Sequence, residues 1–385
     1  MTLCSVDLPA VATKSPAVSR YKLTIDLAAV AHNWRQLNAL SGSAICSAVV
    51  KADAYGLGAV QVVHRLYEEG CRDFFVATLD EALALRAGLN VRPKIYVLSG
   101  IFPGEERICI ENELIPTLVS LEMLERWVAV ASGSGAVSAL KIDTGMGRLG
   151  LSESELDSVL CRPGVLLEAG VDLVLSHLAC ADSPVHPLNA QQLHRFKCYR
   201  ERLSTIYPDL RFSLANSAGC ALGTDFHFDM VRPGVSLYGS QVADPRVIDI
   251  QSALTLALSV IQFRHLNKGE SAGYGADFVA PRDSCLAVVA GGYADGIFKA
   301  LSKGSTVYVD GKPAPIVGRV SMDSILVDVT DLGLDTVTEN NWPCVELLGA
   351  DQGVDKLAKS AGLVSYEILT SLGQRFERVY RNGDG

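Results

Sequence analysis

Ser43-Ala-Ile-Cys-Ser-Ala-Val-Val-Lys51-Ala-Asp-Ala-Tyr55-Gly-Leu-Gly58 is the stretch on which the reading of this chain turns. A run of small and β-branched residues, the composition of a strand buried on both faces, stops at Lys51, and glycines follow at 56 and 58. An isolated lysine at a strand end ordinarily sends its amine to solvent. With an apolar strand behind it the amine is desolvated, its pKa falls, and it becomes available for Schiff-base chemistry with an aldehyde. Tyr55 brings a phenol within reach of the same space, and Gly56 and Gly58 let backbone approach a ligand closely.

Outward from this stretch, short β-rich runs alternate with longer helical patterns, the signature of consecutive βα units around a parallel sheet. The expected strands are Ser43–Val50, Phe74–Ala77, Lys94–Leu98, Ile115–Ser120, Ser138–Asp143, Leu173–Leu178, Arg211–Asn216 and Met230–Gly234. Helices are expected over Leu79–Leu89, Leu121–Ala131, Ser152–Leu160 and Asn189–Ile206, the last with Leu193, Phe196 and Leu203 on one face. Eight such repeats predict an α/β fold with an N-terminal TIM-type (β/α)8 barrel. After Gly239 the texture changes to β-type stretches, Leu254–Phe263, Cys285–Ala290, Ser305–Val309 and Ile325–Val329, with helical patterns only at Val354–Ala361 and Tyr366–Leu372. The expected organisation is a loose leader over 1–20, a barrel over 21–244 and a mostly β C-terminal domain over 245–385. The opening strand Tyr21–Asp26 fits either domain.

The bulk properties agree with an enzyme of this size. The 385 residues accommodate a barrel of about 250 plus a smaller partner. With 49% hydrophobic and 20% charged residues the chain has ample core, and no apolar run reaches the ~18 residues of a membrane span. A net charge of −9 without a lysine or arginine run excludes nucleic acid as an expected partner. Ten cysteines are scattered with no Cys-x-x-Cys pair, which suits reduced thiols in the cytoplasm rather than staples or a metal site. The N-terminus has neither a basic segment nor an adequate apolar segment to serve as a secretory signal.

In a barrel, reactive groups collect at the C-terminal ends of the strands. Lys51 ends the first expected strand, Arg148 follows the fifth, His177 closes the sixth, Ser217 follows the seventh and Arg232 lies on the eighth. All five are expected at one mouth. A phosphate site in such barrels is built by the loops after strands seven and eight. Here these are Ala215–Gly219 and Arg232–Gly239, in which Ser217 offers a hydroxyl, and Gly234 and Val235 offer backbone N–H groups.

Beyond the barrel and across it, a set of motifs recurs in one order: Val50-Lys-Ala-Asp-Ala-Tyr-Gly56, Lys141-Ile-Asp-Thr-Gly-Met-Gly-Arg-Leu-Gly150, Ser176-His-Leu178, Asn216-Ser217, Arg232-Pro-Gly234, Gly273-Tyr-Gly275, Gly292-Tyr-Ala-Asp-Gly296, Gly318-Arg-Val-Ser-Met-Asp323 and Ser365-Tyr-Glu367. Over almost its whole length the chain resembles the alanine racemase family. The resemblance implies pyridoxal 5'-phosphate joined to Lys51 as a Schiff base, and interconversion of L- and D-alanine by two-base proton transfer, with Lys51 on one face and Tyr274 on the other. It implies that Tyr274 is supplied by the partner subunit of a homodimer, so that each active site is shared. His177 is expected to hydrogen bond toward Tyr274 and to Arg232, and Arg232 to face the pyridine nitrogen without protonating it. Tyr55, Asn216, Ser217, Gly234, Val235 and Tyr366 complete the implied cofactor contacts. Arg148 and the Met322 backbone N–H would hold the substrate carboxylate, with Asp323 and Tyr293 at the entrance, and Lys141 occupies a position that some members carbamylate. A supply of D-alanine for peptidoglycan precursors is the role implied.

Departures from the common family pattern are Asp53 and Leu57 for asparagine and histidine, Ser321 for cysteine and Glu377 for proline. Three other readings remain open. A basic amino-acid decarboxylase shares the barrel and β domain but favours a carboxylate where this chain has Arg232. A non-enzymatic cofactor carrier would need the barrel alone. A racemase of broad or basic amino-acid specificity differs only in pocket volume.

Overall fold

The computed structural model describes residues 21–302, 304–333 and 344–383, and the leader expected over 1–20 lies outside the described residues. Nine short strands form the first sheet: β2 (Ile45–Cys46), β3 (Ala48–Val49), β4 (Asp73–Val76), β5 (Lys94–Val97), β6 (Leu114–Leu118), β7 (Ser138–Lys141), β8 (Val171–Leu175), β9 (Arg211–Ser213) and β10 (Met230–Val231). β2 stands at one end of the sheet and β3 at the other, and every pairing between neighbours is parallel. The single strand expected over Ser43–Val50 is therefore split at Ser47. Its first half pairs with β10 and its second with β4, which closes the eight-unit barrel. Ser47 N–H and Val49 N–H donate to the carbonyls of Val231 and Pro233 at 3.1 and 2.9 Å, while Val50 N–H donates to Phe75 at 2.8 Å.

These strands are apolar on both faces because the barrel fills its interior and helices cover its outside; β4 and β6 are buried at every position. The covering helices begin where sequence supplies a cap. Thr78 and Ser120 accept backbone N–H groups at the starts of Leu79–Gly88 and Leu121–Ala131, and Ser152 with Glu155 forms a full capping box on Glu153–Leu160. In helix Pro187–Ile206, Phe196 and Leu203 are fully buried and Leu193 packs at the margin, with Phe196 meeting Phe212 and Phe228 edge-on.

The second sheet contains β11 (Leu254–Leu266), β14 (Ser284–Ala290), β15 (Thr306–Val309), β16 (Lys312–Val317), β17 (Ser324–Asp328), β18 (Cys344–Leu348) and β19 (Glu377–Arg381), with a separate two-stranded hairpin β12 (Ser271–Ala272) and β13 (Phe278–Val279). β11 is long enough to pair with β18 along its first half and β14 along its second, so the sheet curls back on itself. The opening strand β1 (Tyr21–Asp26) belongs here: it lies antiparallel to β11 and parallel to β19. Its alternation places Leu23 and Ile25, both fully buried, on the core side. Asp26 then caps helix Leu27–Ser41, which carries the chain into the barrel. Helices Val354–Ala361 and Ser365–Ser371 return it toward the barrel mouth.

Candidate active site

Immediately after Lys51 the backbone does something that no residue there announces. Ala52, Asp53, Ala54 and Tyr55 all have φ between 52° and 58° with ψ between 33° and 52°, one turn of left-handed helix. For L residues other than glycine this conformation costs roughly 1–2 kcal/mol at each position, and only aspartate visits it readily. The surroundings over-determine it. Ala54 N–H donates to Val50 O and Gly58 N–H to Asp53 O, both at 2.9 Å, and the Asp53 carboxylate accepts Ala59 N–H at 2.7 Å. Asp53 thus performs local capping for helix Ala59–Glu68, so its departure from asparagine leaves the turn intact. From the second domain, Arg378 on β19 donates to Gly56 O at 2.9 Å. Gly58, at φ +96°, faces Tyr380 so closely that an added Cβ would lie 2.0 Å from the phenol oxygen.

The turn delivers Lys51 and Tyr55 to a cavity at the strand ends. Lys51, Tyr55, His177, Asn216, Ser217, Arg232, Gly234, Val235 and Tyr366 line it together, with Val49 and Leu98 as apolar walls. Tyr55 is buried between Tyr238 and Tyr366, with ring centroids 4.9 and 5.9 Å away. Gly234 lies under the Tyr55 hydroxyl, where an added Cβ would come within 2.5 Å of it. Ser217 Oγ accepts Gly234 N–H at 2.8 Å, so serine hydroxyl, glycine backbone and tyrosine phenol converge on one corner. Tyr366 is held there from below: Asp355 accepts the hydroxyls of Ser240 and Ser365 and the N–H of Gln241, tying the end of the barrel segment to helix Ser365–Ser371.

The electrostatics are those of a cationic well. Burial lowers the Lys51 pKa, the Arg148 guanidinium lowers it further, and the Glu81 carboxylate opposes both. Lys141, buried at the end of β7, is pulled down to about 8 by burial and then by Arg232, Arg148 and Lys51, with Asp143 opposing. His177 falls to about 3 because of burial and the same four cations, so its imidazole is neutral at physiological pH. Arg232 is pulled to about 10 by burial and stays charged. Its donors go to Ser213 Oγ, Ser176 O and Leu214 O. The expected side-chain hydrogen bond from Arg232 to His177 is not among those of the described residues, because serine and carbonyl acceptors inside the barrel take the guanidinium. Gln192 fixes the histidine loop instead: its amide donates to His177 O at 2.9 Å and Thr144 Oγ1 at 3.1 Å, and accepts Ala179 N–H. Arg148 stands exposed in the loop that Asp143 shapes by accepting the N–H groups of Gly145, Met146 and Gly147.

The remaining anticipated residues are elsewhere in the chain. Tyr274 sits at the tip of the β12–β13 hairpin, 68% exposed, and lines two open clefts of the second domain rather than the lysine cavity. Tyr293 borders one of these clefts with Lys299 over its ring at 4.5 Å. Met322 is half exposed, its carbonyl accepting Ala294 N–H at 3.1 Å. Asp323 pairs with Arg375 at 2.7 Å, and Arg375 also grips the fully buried Asp295. That one arginine therefore joins the Tyr293 and Met322 loops.

Comparison with known proteins decides what this arrangement belongs to. Residues 25–242 match the family described as alanine racemase, N-terminal domain, and residues 253–380 match alanine racemase, C-terminal domain. This chain belongs to the alanine racemase family. A catabolic alanine racemase of Agrobacterium fabrum is 42% identical over 93% of this chain and 91% of its own length. The alanine racemase of Brucella abortus is 42% identical over 94% of each. Among solved structures, the Bartonella henselae alanine racemase with covalently bound pyridoxal phosphate is 39% identical at a TM-score of 0.88, covering 95% of this chain and all of that one. The biosynthetic alanine racemase of Pseudomonas aeruginosa is 34% identical at 0.85, covering 94% of this chain and all of that one.

For this racemase-family chain, sequence reading missed Leu98 and Val49 as cavity walls, although the strand-end rule that found Lys51 applies equally to Leu98, the residue directly after β5. It also missed Gln192, Asp355, Arg375 and Glu81, whose roles come from hydrogen bonds between segments far apart in sequence.

Proposed function

We propose that Lys51 carries the pyridoxal 5'-phosphate of this alanine racemase, and that Lys51 and Tyr274 move the α-proton between L- and D-alanine from opposite faces. The observation that carries this is one cavity in which a desolvated lysine, a Ser217–Gly234–Tyr55 corner and a buried arginine meet. The residues present fit the cofactor. Hydroxyls of Tyr55, Ser217 and Tyr366 with the N–H groups of Gly234 and Val235 suit a phosphate, the missing Cβ of Gly234 leaves room beside Tyr55, and Arg232 offers a permanent donor for a ring nitrogen. When bound, the cofactor supplies an electron-withdrawing ring that acidifies the α-C–H of the amino acid joined to it.

The chain's own residues do the rest. The lowered pKa of Lys51 leaves a larger neutral fraction, which would bond the cofactor's aldehyde carbon with loss of water and, once displaced from that carbon by the substrate's amine, would be free to accept the α-proton. Neutral His177 and charged Arg232 keep the floor of the site fixed in protonation through the physiological range. Arg148 at the mouth attracts the substrate carboxylate, with Met322 N–H and Asp323 as its proposed companions. Lys141, with a pKa near 8, keeps some neutral amine at neutral pH, the form that adds carbon dioxide; carbamylation would place an anion among Arg148 and Arg232.

Because Tyr274 lies outside the Lys51 cavity of its own chain, the second base comes from a partner subunit, the active site is shared across a homodimer, and Tyr293, Met322 and Asp323 reach it the same way. We place the enzyme in the cytoplasm, where D-alanine feeds peptidoglycan precursors; no helix among the described residues is long and apolar enough to cross a membrane. The proposed division puts the cofactor-binding barrel in 21–244 and the base-bearing domain in 245–385, with β1 lent to the latter's sheet.

Proton exchange from each alanine enantiomer in D₂O, with purified protein and added pyridoxal phosphate, tests the reading. Exchange with inversion from both enantiomers supports it. Inert alanine with exchanging lysine or serine would move the substrate, release of carbon dioxide would make it a decarboxylase, and no exchange from any amino acid would leave a cofactor carrier.

A further inference from the structure

Thr78-Leu-Asp-Glu81 at the start of helix Leu79–Gly88 has the spacing of a capping box, in which the glutamate turns back to the N–H of the capping threonine. Half of that arrangement is present, since Thr78 Oγ1 accepts Glu81 N–H at 3.3 Å. The carboxylate goes elsewhere. Oε2 accepts Ala77 N–H at 2.7 Å, just past the end of β4, and Oε1 accepts Ala52 N–H at 2.9 Å, on the residue directly after Lys51. One side chain thus ties together the exits of the adjacent strands β3 and β4, at the first residue of the left-handed turn.

We infer that Glu81 is a positioning residue for Lys51: by fastening the backbone directly after the lysine to the end of β4, it holds the turn left-handed and keeps the amine aimed into the cavity. Left-handed backbone is disfavoured at each of Ala52, Asp53, Ala54 and Tyr55, so the turn relaxes wherever its anchors fail. The far end is anchored by Asp53 and Arg378, the near end by Glu81. The carboxylate is also the anion that opposes the lowering of the lysine pKa by burial and Arg148. Lys141 and His177 are the other titratable groups acting with this amine, and neither touches Glu81 among the described hydrogen bonds. A glutamate that merely capped its own helix would have no contact with Ala52.

The kinetic part of this inference rests on the racemase reading; the fastening does not. Wild type, Glu81→Gln and Thr78→Ala would be compared in two measurements. In cofactor-free protein, the pH dependence of Lys51 acetylation, followed by peptide mass spectrometry, gives the titration midpoint of the amine. Glu81→Gln should move it downward, because the glutamine carries no charge and only one acceptor for two N–H donors; Thr78→Ala should leave it in place while lowering Tm. In the holoenzyme, Glu81→Gln should lower kcat by about tenfold or more with KM within about twofold, and Thr78→Ala should change neither by more than about twofold. A wild-type midpoint and wild-type kcat in Glu81→Gln, whatever its Tm, would overturn the assignment. If Glu81→Gln does not accumulate, Glu81→Asp carries the test: it keeps the charge but is too short to span both N–H groups, so a wild-type kcat there would overturn it equally. A wild type that racemises no alanine would sink the proposed function, yet the acetylation midpoints would still decide the role of Glu81.

Discussion

The turn after Lys51 and the hairpin that carries Tyr274 are opposite kinds of structure, although the proposed two-base chemistry draws a group from each. The lysine turn is strained, half-buried and held from three sides, by Glu81, Asp53 and Arg378. The tyrosine sits on a two-stranded hairpin separate from both large sheets, with its ring mostly exposed. The hairpin has two residues in each strand and packs Ala272 and Phe278 on a small cluster with Leu266, Ala280 and Leu286, whereas the lysine turn packs against a closed barrel. The contrast teaches that one chain gathers the residues proposed to hold the cofactor in one cavity, while Tyr274 faces outward from its own chain, as the proposed sharing between subunits requires.

Substitutions at the two regions should break or sharpen that contrast. Lys51→Ala should have the largest effect, a loss of racemisation of about 10⁴-fold or more together with loss of the bound cofactor's absorbance, since attachment and proton transfer share one amine. Tyr274→Phe should lower racemisation about 10²–10⁴-fold in both directions, since the phenol would be the base one way and the acid the other, while retaining cofactor absorbance and Tm, because the ring is exposed in its own chain. Cofactor loss in Tyr274→Phe would erase the distinction between the two halves.

Stability separates them again. Gly58→Ala should cost about 3 kcal/mol, from a positive φ and a Cβ 2.0 Å from Tyr380 Oη, measured by denaturant unfolding. Lys141→Met should stabilise the cofactor-free protein at pH 7 by about 1–3 kcal/mol in buffer freed of carbon dioxide. The sign follows from the folded pKa of about 8 lying below the ordinary 10.5. Below pH 8 both folded and unfolded chains hold the proton and the burial penalty is fully present. Between 8 and 10.5 the unfolded chain holds more protons, stability rises with pH, and the advantage of methionine disappears. Gly275→Ala, in the tyrosine hairpin, should cost only about 1 kcal/mol, from its positive φ, since the atoms its Cβ meets are side-chain ends, those of the Arg319–Asp277 pair, rather than backbone.

Much of this was legible in the sequence, for reasons that differ by region. Parallel barrel strands buried on both faces write themselves as apolar runs, and their C-terminal ends mark where Lys51, His177, Ser217 and Arg232 converge. The split at Ser47 was not legible, because closing a barrel is a property of neighbours rather than of the strand itself. Nor was the placement of Tyr21–Asp26, whose alternating pattern fits any half-buried sheet and whose partners lie more than two hundred residues away. Ala-Asp-Ala-Tyr gives little sign of left-handed backbone, since only Asp53 visits it readily and the anchors are remote. The Arg232 contacts were misjudged because Ser213 and the Ser176 carbonyl look unremarkable one residue at a time, yet they lie nearest to the guanidinium.

The central claim, that Lys51 of one chain works with Tyr274 of another, is tested most directly by mixing two inactive proteins. Lys51→Ala and Tyr274→Phe subunits would be dissociated together, allowed to reassociate, and assayed for alanine racemisation. If the site is shared, each hybrid dimer has one site with both bases intact and one with neither, and activity should recover to about a quarter of wild type at equal mixing. If both bases belong to one chain, every site in every hybrid lacks one of them, and a mixture that forms hybrids yet stays inactive would contradict the account.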